Sequence, residues 1–211
     1  MSIRDSQREM YERLYKEHGK DARALLHADR ESQHERFLML TRCFDHETEP
    51  FSVHVIGCSF GHLGDYIGQG WPHARYSGSD ICPPFIEECR RRFPDGDFFL
   101  RDVSTELPED RYDYVVLCGT FNIPQDSDRD EWQRFVYSMI EAMYGMCRKA
   151  IGVTFLTTYV DPGRERPDLY YQDEKHLLDF VARRLSRHFV LDSEGPLYEY
   201  TIRVYRPEYV W

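Results

Sequence analysis

The chain has no apolar run approaching the roughly 20 residues that a membrane-spanning helix requires. Its start, MSIRDSQREM, lacks the apolar core of a signal peptide. A soluble, cytoplasmic protein with no membrane partner is the expectation. Positive charge is in deficit, since 27 Lys and Arg stand against 37 Asp and Glu, giving a formal charge of −10. Such a surface repels phosphate backbones, and the basic runs at residues 90–92 and 183–187 have acids nearby, so nucleic acid is not an expected partner. Cysteine pairs at metal-ligand spacing are missing: Cys43, Cys58, Cys82, Cys89, Cys118 and Cys147 read as reduced thiols. Alternate acids at Asp126, Asp128 and Asp130 do not make an EF-hand, because Glu131 stands where its glycine belongs and Tyr137 where its bidentate acid belongs. That loop reads as a solvated cap for the following helix, and no metal is expected. Internal repeats and low-complexity segments are also absent.

What is present is an alternation. The 211 residues suit one α/β domain, residues 47–211, preceded by a helical N-terminal extension over residues 1–46. Two capping-box patterns, Ser6-x-x-Glu9 and Ser32-x-x-Glu35, predict two helices in that extension, the second facing inward through Phe37, Leu40 and Phe44. Strands are then predicted at 53–56, 76–79, 97–100, 112–118 and 150–156. Helices intervene from about His62, over 83–93 and over 131–147, and a last one carries Leu177, Leu178, Val181 and Leu185. This order implies a parallel sheet covered on both faces, with the near-continuous apolar YDYVVLC at its centre. The stripe Trp132, Phe135, Val136, Met139, Ile140 and Met143 reads as core packing with no cofactor role. Residues 188–191 and 198–205 alternate like a closing pair of strands.

Residues 53–64, VHVIGCSFGHLG, run from an apolar strand into a glycine-spaced turn, where side chains must be absent if a cofactor is to lie against backbone. Asp80 ends the next predicted strand, 23 residues after Gly57, close to the spacing at which an acid accepts hydrogen bonds from ribose hydroxyls. Pro83 and Pro84 place the following helix cap at Cys82 or Pro83, so capping alone does not account for Asp80.

From about Gln33 to Arg206 the order of motifs resembles the class I S-adenosylmethionine (SAM) dependent methyltransferases: VHVIGCSFG, YSGSD, FFLRD and YDYVVLCGTFN look like their first four motifs, and LYEYTIRVYR their antiparallel last strand. The resemblance implies a Rossmann-like, seven-stranded, mostly parallel sheet with an antiparallel last strand and helices on both faces. It also implies SAM as cofactor and S-adenosylhomocysteine as product. By that resemblance Gly57, Cys58 and Gly61 approach the methionine portion, Asp80 and Ile81 the ribose and adenine, Asp102 and Val103 the adenine, and Cys118 and Gly119 the sulfonium. Arg36 would partner the SAM carboxylate. Two positions depart from the pattern: Val55 replaces the usual acid two residues before the first glycine, and Ser59 replaces the middle glycine.

Methyl transfer from a sulfonium is an in-line displacement, so positioning and water exclusion are the main tasks. If the acceptor loses a proton, His62, Tyr159, Tyr171 and Glu199 are the candidate bases. His54, within the first strand, reads instead as a hydrogen-bonded core histidine. A small organic acceptor is expected. Two other readings are a SAM-fold binding or scaffold protein without transfer and, more distantly, a nicotinamide-dependent oxidoreductase. The latter would require glycine at positions 59 and 62, where the chain has Ser59 and His62.

Overall fold

A computed structural model describes residues 2–20, 22–25, 30–106, 108–125 and 127–209. Helix α1 (Ile3–His18) leads through a 3₁₀ turn (Ala22–Leu25) to α2 (Arg30–Thr41). Then β1 (Phe51–Ile56), α3 (His62–Gly70), β2 (Ala74–Asp80), α4 (Pro83–Arg92), β3 (Phe98–Leu100) and β4 (Tyr112–Leu117) follow in strict alternation up to β3. The second half holds α5 (Arg129–Met146), β5 (Cys147–Thr157), the two-residue β6 (Tyr171–Gln172), α6 (Glu174–Arg184), β7 (Phe189–Asp192) and β8 (Glu199–Tyr205).

The strands form one sheet in the order β3-β2-β1-β4-β5-β8-β7, with β6 added beside the end of β5. Pairings from β3 through β5 are parallel, and β8 runs antiparallel to both of its neighbours. The expected seven-stranded path is therefore present, joined by a short eighth strand whose two residues carry too little pattern to be read. The YDYVVLC segment is central, between β1 and β5. Both sheet faces are covered: α5 and α6 bury Trp132, Val136, Ile140, Leu177 and Val181 on one, while α2, α3 and α4 bury Phe37, Leu40, Leu63, Ile67 and Ile86 on the other.

The helix starts differ from expectation. The cap of α1 is Ser2, whose Oγ accepts the Asp5 N–H at 3.2 Å, so Ser6 and Glu9 lie inside the helix. Helix α2 begins at Arg30, which puts Ser32 in its first turn. Apolar spacing and propensity decide where a helix runs, and a capping pattern within it is then simply helical sequence. Asp128 caps α5 through the Glu131 N–H at 2.8 Å, as the acidic-loop reading requires; Asp126 lies outside the described residues.

At the edge where the parallel strands begin, Glu47 accepts hydrogen bonds from Tyr114 at 2.6 Å, Tyr209 at 2.9 Å and Lys149. Burial opposes its charge, but these three donors outweigh it and hold the carboxyl below its ordinary pKa.

Candidate active site

The sheet order reverses between β1 and β4, each leading to a crossover in the opposite direction, and the strand ends splay apart there. A cleft of about 850 Å³ of non-protein space, partly continuous with solvent, opens at this point. Its floor comes from the carboxyl ends of four parallel strands: Ile56, Gly57 and Ser59 after β1, Ser79 to Ile81 after β2, Arg101 to Val103 after β3, and Cys118 to Thr120 after β4. Phe135 and Met139 of α5 form one wall and Phe85 of α4 another. Arg4, Gln7 and Tyr11 of α1, with Leu25, close the top.

The turn after β1 is built for close approach. Gly57 has φ +68°, and a Cβ there would lie 2.7 Å from Thr120 Oγ1 across the cleft, so only glycine leaves the space between β1 and β4 open. Ser59, at the middle-glycine position of the motif, also adopts a left-handed conformation with φ 47°. The backbone shape is kept at the expense of strain that a side chain adds there. The return is a directed donor, because the Ser59 N–H donates to Asp80 Oδ2 at 2.9 Å. Val55, where the motif usually has an acid, is 2 % exposed and packs in the apolar core beneath the turn.

Asp80 is the most strongly placed acid. Its other oxygen, Oδ1, accepts the Cys82 N–H at 3.0 Å, so the carboxylate spans the β1 turn and the start of α4. Burial raises its pKa to about 6, against the lowering effect of the backbone N–H donors of Cys82 and Ser59. Asp102 divides its oxygens: Oδ1 accepts Ser104 N–H at 2.9 Å and Oγ at 2.6 Å, while Oδ2 is buried with no hydrogen-bond partner among the described residues. Arg4 Nε stands 3.9 Å from it, an ion pair without a hydrogen bond, and a donor brought into the cleft would supply the bond it lacks. The cleft thus fits a nucleoside cofactor on its own geometry: an acid at the tip of β2, an acceptor waiting after β3, and a glycine turn that keeps side chains out.

The other predicted positions lie off this wall. Cys58 turns into the core, 3 % exposed, with its Sγ 3.9 Å from Cys89 Sγ. Gly61 is the N-cap of α3 and faces the Phe93 ring. Arg36 donates from Nε to both oxygens of Glu199 at 2.9 and 2.8 Å and from Nη2 to Oε1 at 2.6 Å, which engages both side chains together away from the cleft wall. His62 Nδ1 lies 3.4 Å from Gln33 Nε2. Tyr159 is 69 % exposed, and the Tyr171 hydroxyl accepts the Arg166 N–H at 2.9 Å. None of these four candidate bases lines the cleft. Cys118 does, but burial raises its thiol to about 11, so it remains protonated. His54 is a core residue: its ring nitrogens meet Ser77 Oγ at 2.9 Å and Ser79 Oγ at 3.0 Å, and burial, with the Arg101 charge, lowers its pKa to about 3.

Phe135 and Met139 face the cleft from a stripe whose spacing reads only as core, since amphipathic periodicity identifies the inward face of a helix and not which part of it meets a cavity. The α1 residues are less accessible still to sequence reasoning, because they belong to no glycine or acid motif.

This is the arrangement of an α/β fold that binds a nucleoside cofactor at its switch point. The pattern of the methyltransferase domain family matches residues 53–142. A Mycobacterium tuberculosis protein named as a putative methyltransferase is 31 % identical over 156 residues, covering 74 % of this chain and 93 % of that protein. A malonyl-[acyl-carrier protein] O-methyltransferase of Acetivibrio thermocellus is 34 % identical over 68 residues, 31 % of this chain and 24 % of its own length. Among solved structures, the N-methyltransferase NodS from Bradyrhizobium japonicum aligns over 94 % of this chain and 98 % of its own with a TM-score of 0.67 at 14 % identity. Magnesium protoporphyrin IX methyltransferase from Synechocystis aligns over 97 % and 100 % with a TM-score of 0.64 at 16 % identity. The chain belongs to the methyltransferase family and has the class I fold.

Proposed function

We propose that the enzyme methylates a small organic acceptor with S-adenosylmethionine as its cofactor, which lies along the strand ends from Asp102 to Gly119. The observation that carries this is Asp80 beside an Asp102 whose Oδ2 accepts no hydrogen bond among the described residues, two buried acids at successive strand tips facing one cleft. In this reading Asp80 accepts the ribose hydroxyls, Asp102 Oδ2 accepts the adenine amino group, and Ile81 and Val103 flank the ring. Gly57, Cys118 and Gly119 supply backbone beside the sulfur. Cys58, Gly61 and Arg36 support this wall from behind. The bound cofactor supplies an electrophilic methyl group on a sulfonium.

What the chain adds is alignment and dryness: a rigid floor, a covered top and a neutral Cys118 thiol that does not compete as a nucleophile. With His62, Tyr159, Tyr171 and Glu199 all away from the wall, the acceptor atom best suited is one that attacks without a dedicated protein base. The acidic surface and enclosed cleft favour a small molecule over a nucleic acid, in the cytoplasm. Residues 1–46 act in this reading as the cover and residues 47–211 as the catalytic domain.

The test is titration calorimetry of the full chain with S-adenosylhomocysteine, with NAD as control, followed by acceptor screening for S-adenosylhomocysteine release from SAM. Micromolar binding, about −8 kcal/mol, with no response to NAD is expected. Heat from NAD alone would overturn the assignment of the cleft.

A further inference from the structure

Helix α1 lies outside residues 53–142, the region matched by the family pattern, yet three of its side chains line the cleft. Arg4, Gln7 and Tyr11 are spaced by three and four residues, so they share one helix face. That face points inward. Gln7, at its middle, is 5 % exposed, a depth ordinarily held by apolar side chains, while Arg4 at the rim is 44 % exposed.

Its polar groups are poorly satisfied by the protein. Arg4 Nε stands 3.9 Å from Asp102 Oδ2, beyond hydrogen-bond distance. The Gln7 amide reaches Thr120 O only at 3.4 Å. The Tyr11 hydroxyl makes no hydrogen bond among the described residues, although Asp80 is near enough to act on its charge. Burial, with the Asp80 carboxylate, raises its pKa, so it is a neutral donor throughout the physiological range.

Ile3 packs against the core at the amino end, and the carboxyl half of α1 is held by aromatic contacts. Tyr15 packs on Phe60 and Phe85, with ring centroids at 5.9 and 6.3 Å, and Tyr11 packs on Phe85 at 6.2 Å. Just beyond, Lys20 pairs with Glu88 at 2.7 Å. Gly19, with φ +60°, ends the helix there.

A helix presenting an inward polar face above two cofactor-reading acids is arranged to be completed by a ligand. We propose that α1 is the fourth wall of the cofactor site, and that Arg4, Gln7 and Tyr11 bind the nucleoside half of SAM from above. Tyr11 shares the ribose with Asp80, Arg4 lies over the purine beside Asp102, and Gln7 meets the ligand near Thr120. The inference rests on the placement of the nucleoside along Asp80 and Asp102 described above. It also requires α1 to lift for the cofactor to exchange.

The experiment uses the full chain with S-adenosylhomocysteine as probe. Tyr11→Phe keeps the ring packing on Phe85 and removes only the hydroxyl; Arg4→Ala changes a side chain that is 44 % exposed. Calorimetry measures affinity, urea midpoints check folding, and hydrogen exchange follows the amides of residues 3–18 with and without ligand. The expected result is about fivefold weaker binding for Tyr11→Phe, the loss of one neutral hydrogen bond, with an unchanged midpoint. Ligand should slow exchange in α1 of the wild type by at least about tenfold. Wild-type affinity in both variants together with unchanged α1 exchange would overturn the fourth-wall inference while leaving the cofactor assignment intact. Failure of the wild type to bind S-adenosylhomocysteine would instead overturn the cofactor assignment, and this inference with it.

Discussion

Replacing Asp80 with asparagine separates the two roles its carboxylate plays. In the fold, Oδ1 accepts the Cys82 N–H and Oδ2 the Ser59 N–H. An asparagine amide can accept from one of them and must point an NH₂ group at the other, leaving a buried donor unsatisfied at a cost of about 1–3 kcal/mol. Against this, the buried charge disappears. A rise of pKa from 3.8 to about 6 corresponds to about 3 kcal/mol disfavouring the ionised native state at pH 7. The two effects nearly cancel, so Asp80→Asn should fold with a stability within about 2 kcal/mol of wild type at pH 7. Ligand binding has no such compensation. Loss of charged hydrogen bonds to ribose should weaken S-adenosylhomocysteine by about 1.5–3 kcal/mol, or about 10- to 150-fold.

The pH dependence supplies an independent check. Because the folded pKa is raised, the native state takes up a proton near pH 6 that the unfolded chain takes up only near pH 4. The contribution of Asp80 to stability therefore grows as pH falls through this window and is lost as pH rises through about 6. Ribose binding requires the ionised form and runs the other way, falling toward tenfold per pH unit below about 6. Calorimetry between pH 5 and 8 should show this slope in the wild type and a flat profile in Asp80→Asn. Equal affinity in the folded variant, or a flat wild-type profile, would refute the ribose role.

Two further predictions concern the β1 turn and the strand behind it. Gly57→Ala should lose about 1–2 kcal/mol from the left-handed backbone, with more from the 2.7 Å approach to Thr120 Oγ1, and should bind S-adenosylhomocysteine at least about tenfold more weakly. Ser59→Gly should have the opposite sign, raising the unfolding free energy by about 0.5 kcal/mol, read as a higher urea midpoint, once strain relief is set against glycine entropy. His54 is neutral in the folded protein down to about pH 3 and protonates near pH 6.5 when unfolded, so its contribution falls as pH drops below 6.5, by about 2 kcal/mol at pH 5. Urea unfolding at pH 7 and pH 5 in the Asp80→Asn background, with and without His54→Gln, isolates it; an equal pH loss in both chains would rule it out.

Most of the sheet was legible because its strands are short apolar runs separated by amphipathic helices, and that alternation has few geometric solutions. Strand tips were legible for the same reason, which is why Gly57, Asp80, Ile81, Asp102, Val103, Cys118 and Gly119 all reach one cleft. Direction around a turn is another matter. Cys58 and Gly61 belong to the same motif as Gly57, but successive residues in a turn point to different sides, and these two face the core and the Phe93 ring. Pairing across the fold was equally hidden: Arg36 and Glu199 are 163 residues apart, and neither sequence context announces the other. The wall supplied by Phe135 and Met139 was assigned to the core, because inward-facing and cavity-facing positions carry the same periodicity.

The strand that follows β7 in the sequence is an inner one. Residues 199–205 form β8, which lies between β5 and β7 and pairs with both. During synthesis, β5 emerges some 40 residues before β8. For that interval its eleven-residue strand, apolar over most of its length, presents an open edge to other chains. Nascent or truncated chains ending before residue 199 should therefore aggregate through β5, and the yield of folded enzyme will depend on how quickly β8 is delivered.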